Sequence, residues 1–204
     1  MENPFKYSFD NKGYHTLNYY LKSRYGKKLY KAVIDCGMTC PNIDGTRGFG
    51  GCIFCDGGSG YFTQKNISVT EQLELEVERI REKNGDVPIV AYFQANTNTY
   101  APVDKLRQIY NEALRFPDIS GISIGTRADC LPNDVLELLC EINSCTELTV
   151  ELGMQTVHEK TIDKIVDIYE YPDVFISEFS EEFLEIPEII IKTSICVISN
   201  RIII

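Results

Sequence analysis

Between residues 31 and 166, short apolar runs alternate with amphipathic stretches of helical period, and that alternation restricts the fold more than any other feature. KAVID (31–35), PIVAYFQ (88–94), DISGISIG (118–125) and ELTVELG (147–153) read as strands. The second is nearly continuous in apolar residues, as expected of a strand covered on both faces. Between them, SVTEQLELEVERIREK (68–83) opens on a Ser68-x-x-Glu71 capping box and puts Leu73, Val77 and Ile80 on one helical face. VDKLRQIYNEALRF (103–116) repeats the pattern with Leu106, Ile109, Tyr110 and Ala113, and Pro102 suits its first turn. NDVLELLCEIN (133–143) is expected to start at an Asn133 N-cap and to bury Val135, Leu138, Leu139 and Ile142. Thr156 and Glu159 open a further helix carrying Ile162, Ile165 and Val166.

Such alternation predicts parallel strands joined by helical crossovers. An open doubly wound sheet and part of a β/α barrel both remain open on this pattern, and both place function at the carboxyl ends of the strands. The four exits are polar where the strand bodies are apolar. The first runs into Cys40, the second carries Gln94, Asn96, Thr97, Asn98 and Thr99, the third Thr126, Arg127 and Asp129, the fourth Glu151 and Gln155.

The first exit holds CPNIDGTRGFGGCIFC (40–55), with three cysteines and a run of glycines. A structural zinc site wants four closed ligands. Cys36 would supply the fourth in a C-x3-C-x11-C-x2-C pattern, so on spacing alone zinc and iron–sulfur stand level. The glycines Gly45, Gly48, Gly50 and Gly51, followed by Gly57, Gly58 and Gly60, let the backbone wrap a bulky object. They also offer N–H groups to a negatively charged cluster. Three thiolates on a cubane leave one iron open to a cosubstrate. Cys130, Cys140, Cys145 and Cys196 lack ligand spacing and read as small buried hydrophobes.

The stretch YHTLNYYLKSRYGKKLYKAVIDCGMTCPNIDGTRGFGGCIFC (14–55) resembles the start of the radical SAM superfamily, and is most similar to a branch of small proteins related to the Elongator catalytic subunit. The likeness continues through AYFQANTNTYAPVDKLRQIY, SIGTRADCLPNDVL and ELGMQTVHEKT, to about residue 165. It implies a parallel-stranded partial β/α barrel. It implies a 4Fe–4S cluster on Cys40, Cys52 and Cys55, with S-adenosylmethionine (SAM) on the open iron, cleaved reductively to methionine and a 5′-deoxyadenosyl radical. By the same likeness Phe54 lies beside the adenine, Gln94, Asn96 and Thr97 hold the methionine end, and Glu151 and Gln155 meet the ribose. Arg127 is expected to pair with the SAM carboxylate or a substrate anion, or with Asp129. The implied partners are an electron donor such as a flavodoxin or ferredoxin and an unassigned substrate, RNA being suggested by the Elongator relation. No catalytic residue is assigned, and His158 is expected to face solvent.

The likeness stops near Val166. All 14 glycines lie at or before Gly153, and the last nineteen residues include nine isoleucines. Residues 1–165 are therefore expected to form the N-terminal part of the core, incomplete at about four of six strands. Residues 166–204 form an acidic, isoleucine-rich tail replacing the rest, as in a truncated or frame-shifted product. A sheet stopped there exposes an edge that Ile189–Ile191 or Ile195–Ile198 could patch, with weak SAM binding and little turnover. A zinc module and a catalytically dead fragment are the alternatives.

Charge adds a constraint. The chain carries a net −10, of which residues 161–204 contribute −6. That argues against a broad phosphate-binding surface, and the basic strip LKSRYGKKLYK (21–31) reads as a solvated helix end, with local contact to a nucleic acid as the alternative. The polar start and the interrupted apolar segments predict a cytoplasmic protein with no membrane span.

Overall fold

The computed structural model describes residues 16–53, 55, 66–153 and 190–194. Phe54, Gln155, His158, Cys196, the helix expected after Thr156 and the Ile195–Ile198 run lie outside them.

Helix α1 (Leu17–Tyr25) starts where the Thr16 hydroxyl accepts the Tyr19 N–H at 3.0 Å. It stops at Gly26, whose φ of 71° suits a residue without Cβ and returns its N–H to the Lys22 carbonyl. Strand β1 (Tyr30–Ile34) follows, then helix α2 (Val69–Asn84), which opens on the expected reciprocal box between Ser68 and Glu71. Strands β2 (Ile89–Phe93), β3 (Gly121–Thr126) and β4 (Glu147–Gly153) alternate with helices α3 (Val103–Leu114) and α4 (Asn133–Cys145). The N-cap of α4 is Pro132, not Asn133: the chain is already helical at Asn133, and no side chain caps that end.

All pairings are parallel, and the spatial order β1-β2-β3-β4-β5 is the chain order. A doubly wound sheet reverses direction at a switch point. Here every crossover steps the same way, which selects the partial barrel. Strand β5 (Ile190–Ser194) pairs with β4 from Thr149↔Ile190 to Gly153↔Ser194. The described residues thus contain five strands, one more than the sequence suggested, and the fifth overlaps the Ile189–Ile191 patch.

One face of the sheet is apolar. Ala32, Ile34, Ile89, Ala91, Phe93, Ile122, Ile124, Leu148, Val150 and Leu152 form a single core with Leu73, Val77 and Ile80 of α2, Leu106, Tyr110 and Ala113 of α3, and Val135, Leu138, Leu139 and Ile142 of α4. Gln72, 4% exposed, continues this packing beyond β1: its amide donates to the Asp35 carbonyl at 3.0 Å and accepts the Asp35 N–H at 2.9 Å.

The opposite face is polar. Lys31 on β1 ion-pairs with Glu151 on β4, passing over the Tyr92 ring, while Tyr92 and Ser123 donate to the same carboxylate at 3.0 and 2.9 Å. Three strand spacings in a flat sheet put β1 and β4 about 14 Å apart before any offset along the strands. Only a strongly curved sheet brings these two side chains together, so the polar face is the concave one. Among the described residues no helix is long and apolar enough to cross a membrane.

Candidate functional site

The cysteine loop folds on itself. The Cys40 carbonyl accepts the N–H groups of Ile43 and Asp44 at 2.8 and 3.1 Å, and Pro41 accepts those of Arg47 and Gly48. Asn42 accepts Gly51 N–H at 2.9 Å, a bridge joins Asp44 to Phe49, and Cys55 N–H closes a turn on the Cys52 carbonyl at 2.8 Å. Gly51 has φ 84°, and a Cβ there would lie 3.1 Å from Cys55 Cβ and 3.2 Å from its sulfur. A side chain at 51 would occupy the space beside the Cys55 thiol.

Donors approach the sulfurs. Asn42 Nδ2 donates to Cys52 Sγ at 3.2 Å, and Arg127 Nη1 lies 4.0 Å from Cys40 Sγ. Burial pushes the Cys52 thiol up, the Asn42 amide and the Arg127 charge pull it down, and the charges of Cys40 and Cys55 push it up again. The three thiols therefore share one electrostatic neighbourhood. They are not drawn to coordination distance: among the described residues no three His, Cys, Asp or Glu side chains are grouped closely enough to hold an ion. The donor set, three soft sulfurs in a glycine-rich wrap with an amide and a guanidinium aimed at two of them, fits an anionic iron–sulfur cluster.

Cys36 stands apart. It packs against the core, and burial first, then the charges of Asp35 and Glu112, push its thiol to about 12. None of the three loop thiols is among the groups that act on it. It shares parity with Ala32 and Ile34 and so continues the helix-covered side, the wrong side for a fourth ligand.

The other strand exits lace the loop to the barrel. Gln94 N–H donates to the Ile34 carbonyl at 3.1 Å and its side chain is exposed. Ala95 and Asn96 then take φ values of 82° and 60°, a left-handed pair that non-glycine residues rarely adopt. That turn lets Asn96 Nδ2 reach the Met38 carbonyl at 2.7 Å and Thr97 N–H the Thr39 carbonyl at 3.2 Å. Both contacts pin the arm leading to Cys40. Asn98, 1% exposed, donates through Nδ2 to the carbonyls of Phe93, Ala95 and Gly125. The Thr46 and Tyr100 hydroxyls meet at 2.8 Å.

At the third exit, Arg127 grips Asp129 with Nε and Nη2 at 2.8 and 2.7 Å. Of the pairings expected for Arg127, the structure contains the one with Asp129. Arg47, from the cysteine loop, joins the same carboxylate at 3.4 Å. Burial alone would raise Asp129, but the two arginines outweigh it and hold the carboxyl below its ordinary range. At the fourth exit, Glu151 lies on the concave face. Burial raises its carboxyl, and Lys31, Ser123 and Tyr92 together lower it further than that.

Cys130 is buried as expected, its thiol pushed to about 12 by burial and then by Asp129. Cys140 and Cys145 are exposed, contrary to expectation. The buried stripe of α4 runs through Val135, Leu138, Leu139 and Ile142, and Cys140, between the last two, falls off that face. The basic strip is engaged within the chain: Arg24 pairs with Glu147, Lys27 with Asp86 and Lys31 with Glu151. Sequence reading placed Asn98 among the polar residues of the second exit without giving it a role, and it missed Asn42, Arg47 and Lys31. Asn42 and Arg47 lie inside the cysteine loop, which was the available signal, whereas nothing local marks Lys31.

A family model described as the Radical SAM superfamily matches residues 43–203. The Bacillus subtilis protein YtqA is 50% identical over 161 residues, 78% of this chain and 50% of that protein. The Escherichia coli protein YhcC is 43% identical over 147 residues, 71% of this chain and 47% of its own. A Methanocaldococcus jannaschii protein is 35% identical over 149 residues, 71% of this chain and 45% of its own. The chain spans about half the length of the curated relatives it matches.

Proposed function

Because the chain belongs to the radical SAM superfamily, we propose that Cys40, Cys52 and Cys55 hold a 4Fe–4S cluster and that SAM binds beside it at the strand carboxyl ends. When bound, the cluster supplies the electron that splits the SAM sulfonium into methionine and a 5′-deoxyadenosyl radical. The chain's own residues then bind, orient and exclude water. In this reading Asn42 supports the Cys52 thiolate, and Asn96 and Thr97 fix the Cys40 arm while Gln94 offers its exposed amide to the methionine end. Glu151, held in place by three partners, presents its carboxylate toward the ribose. Phe54 and Gln155 are assigned to adenine and ribose by the same likeness.

The observation that carries this proposal is the cysteine loop: three thiols in one charge neighbourhood, a sulfur-directed amide, and a glycine where a Cβ would press on Cys55. The position of Cys36, against the core and on the helix side, weighs against four-cysteine zinc.

The kinship to the Elongator-related branch belongs to the same proposal, as do a flavodoxin or ferredoxin donor and an RNA substrate. The RNA reading rests on that kinship alone, since three cations of the basic strip are internally paired. We also propose that residues 1–165 form the N-terminal part of the core and 166–204 a divergent replacement, supported by the absence of glycine after Gly153. Reading the downstream nucleotides in the other frames tests a frame-shift origin, which fails if no glycine-bearing strands emerge.

Anaerobic isolation with iron, sulfide and zinc measured per chain tests the cofactor. Iron and sulfide in equal amounts, retained in Cys36→Ala and lost in Cys52→Ala, are expected. A colourless protein holding one zinc that Cys36→Ala abolishes would refute the proposal. Release of 5′-deoxyadenosine under reduction separates a working enzyme, expected to be slow, from an inert fragment.

A further inference from the structure

We propose that Arg127 and Arg47, clasped around Asp129, form a cationic shell at Cys40 that sets the reduction potential of the cluster; this rests on the reading above. Three segments meet here: Arg127 leaves β3, Asp129 lies in the short 3-10 turn Ala128–Cys130, and Arg47 comes from the cysteine loop. The Arg127 and Asp129 side chains are 16% and 7% exposed, and that of Arg47 is 30% exposed. Asp129 occupies Nε and Nη2 of Arg127, which fixes the planar guanidinium and leaves Nη1 turned toward Cys40 Sγ at 4.0 Å. Arg127 therefore holds a permanent guanidinium charge close to the Cys40 sulfur.

Reducing the cluster adds one electron to an already anionic assembly of sulfides and thiolates. A fixed cation beside it favours the reduced form, and in a partly buried site this field is weakly screened. Arginine cannot relieve the field by losing a proton. Asp129 has two effects of opposite kind: it orients Arg127, and its own charge offsets part of the field. Arg127 is thus a positioning residue for the electron, acting through the Cys40 thiolate.

The test is an EPR-monitored redox titration of the full chain, anaerobically reconstituted with iron and sulfide and free of SAM. Arg127→Gln should disfavour reduction about tenfold, a shift of about 59 mV to more negative potential for a one-electron couple. Arg47→Gln should move it the same way by less, and Arg127→Lys should recover part of the change. Asp129→Asn should move it in the opposite direction, since both arginines remain and the carboxylate charge is gone. That opposition of sign distinguishes an electrostatic role from a structural one. If Arg127→Gln and Asp129→Asn carry intact clusters whose potentials match the wild type, or shift together, the inference is overturned. If wild-type protein takes up no iron and sulfide, the cluster assignment falls with it.

Discussion

Asn98 is the keystone of the strand-end loops, and its loss can be priced from three hydrogen bonds. Its Nδ2 donates to Gly125 O at 2.9 Å and to Phe93 O and Ala95 O at 3.2 Å each, with the residue 1% exposed. Each bond contributes about 0.5–1.5 kcal/mol net, and an orphaned buried carbonyl costs about 1–3. Nδ2 carries two hydrogens, so one of the three contacts is shared, and Asn98→Ala forfeits the worth of about two bonds. It also removes Oδ1, which is buried without a hydrogen-bond partner among the described residues, so part of the cost is returned. The sum is a loss of about 2–3 kcal/mol, or roughly 5–10 °C in Tm for a chain of this size. The same bonds hold Ala95 beside Asn96 in their left-handed conformations, so the arm to Cys40 should loosen and iron retention fall as well. Asn98→Asp should be worse than alanine, because a carboxylate would face three carbonyl oxygens. Urea unfolding followed by far-UV circular dichroism measures the stability, and iron per chain measures the arm. An Asn98→Ala protein within about 0.5 kcal/mol of wild type, or an Asn98→Asp protein more stable than Asn98→Ala, would refute the reasoning.

Three further outcomes are expected. Glu151→Gln should lower stability at pH 7 by about 1–3 kcal/mol, as hydrogen bonds to a charged group require. The native carboxyl is held below its unfolded value, so its contribution is full above that value and is lost as pH falls through the native one. The stability gap between mutant and wild type should therefore begin to narrow as pH falls past the ordinary carboxyl value of about 4.3 and close below the lowered native one. Gly51→Ala should lower iron content while leaving the circular dichroism spectrum unchanged, because the new Cβ meets Cys55 in a backbone conformation at φ 84°. Ser68→Ala should cost about 1 kcal/mol through the lost capping box of α2, read by thermal melting.

Much of this architecture was written locally. The Ser68 box, the Leu73, Val77 and Ile80 stripe, and the strand exits follow from short-range periodicity and side-chain chemistry, and the structure contains them. What the sequence left open was settled at longer range. Doubly wound and barrel forms share the same local alternation and differ only in strand order. Strand β5 was obscured because its segment lacks the turn residues that mark its predecessors. The Asn133 cap failed by one residue, since Pro132 and Asn133 compete for the same boundary. Lys31 read as one cation in a basic strip, and its partner lies 120 positions away.

The tie between Lys31 and Glu151 also bears on ionic strength. The pairs Arg81–Asp118 and Arg107–Glu141 lie on exposed side chains, where mobile ions weaken them readily. Lys31 is 34% exposed but Glu151 only 11%, and the pair lies in the trough of the concave face, where dissolved ions reach the carboxylate less readily than those of the outer pairs. Added salt should therefore soften the outer helices while the trough keeps its width, so the opening presented to a ligand stays constant across brines that loosen the exterior.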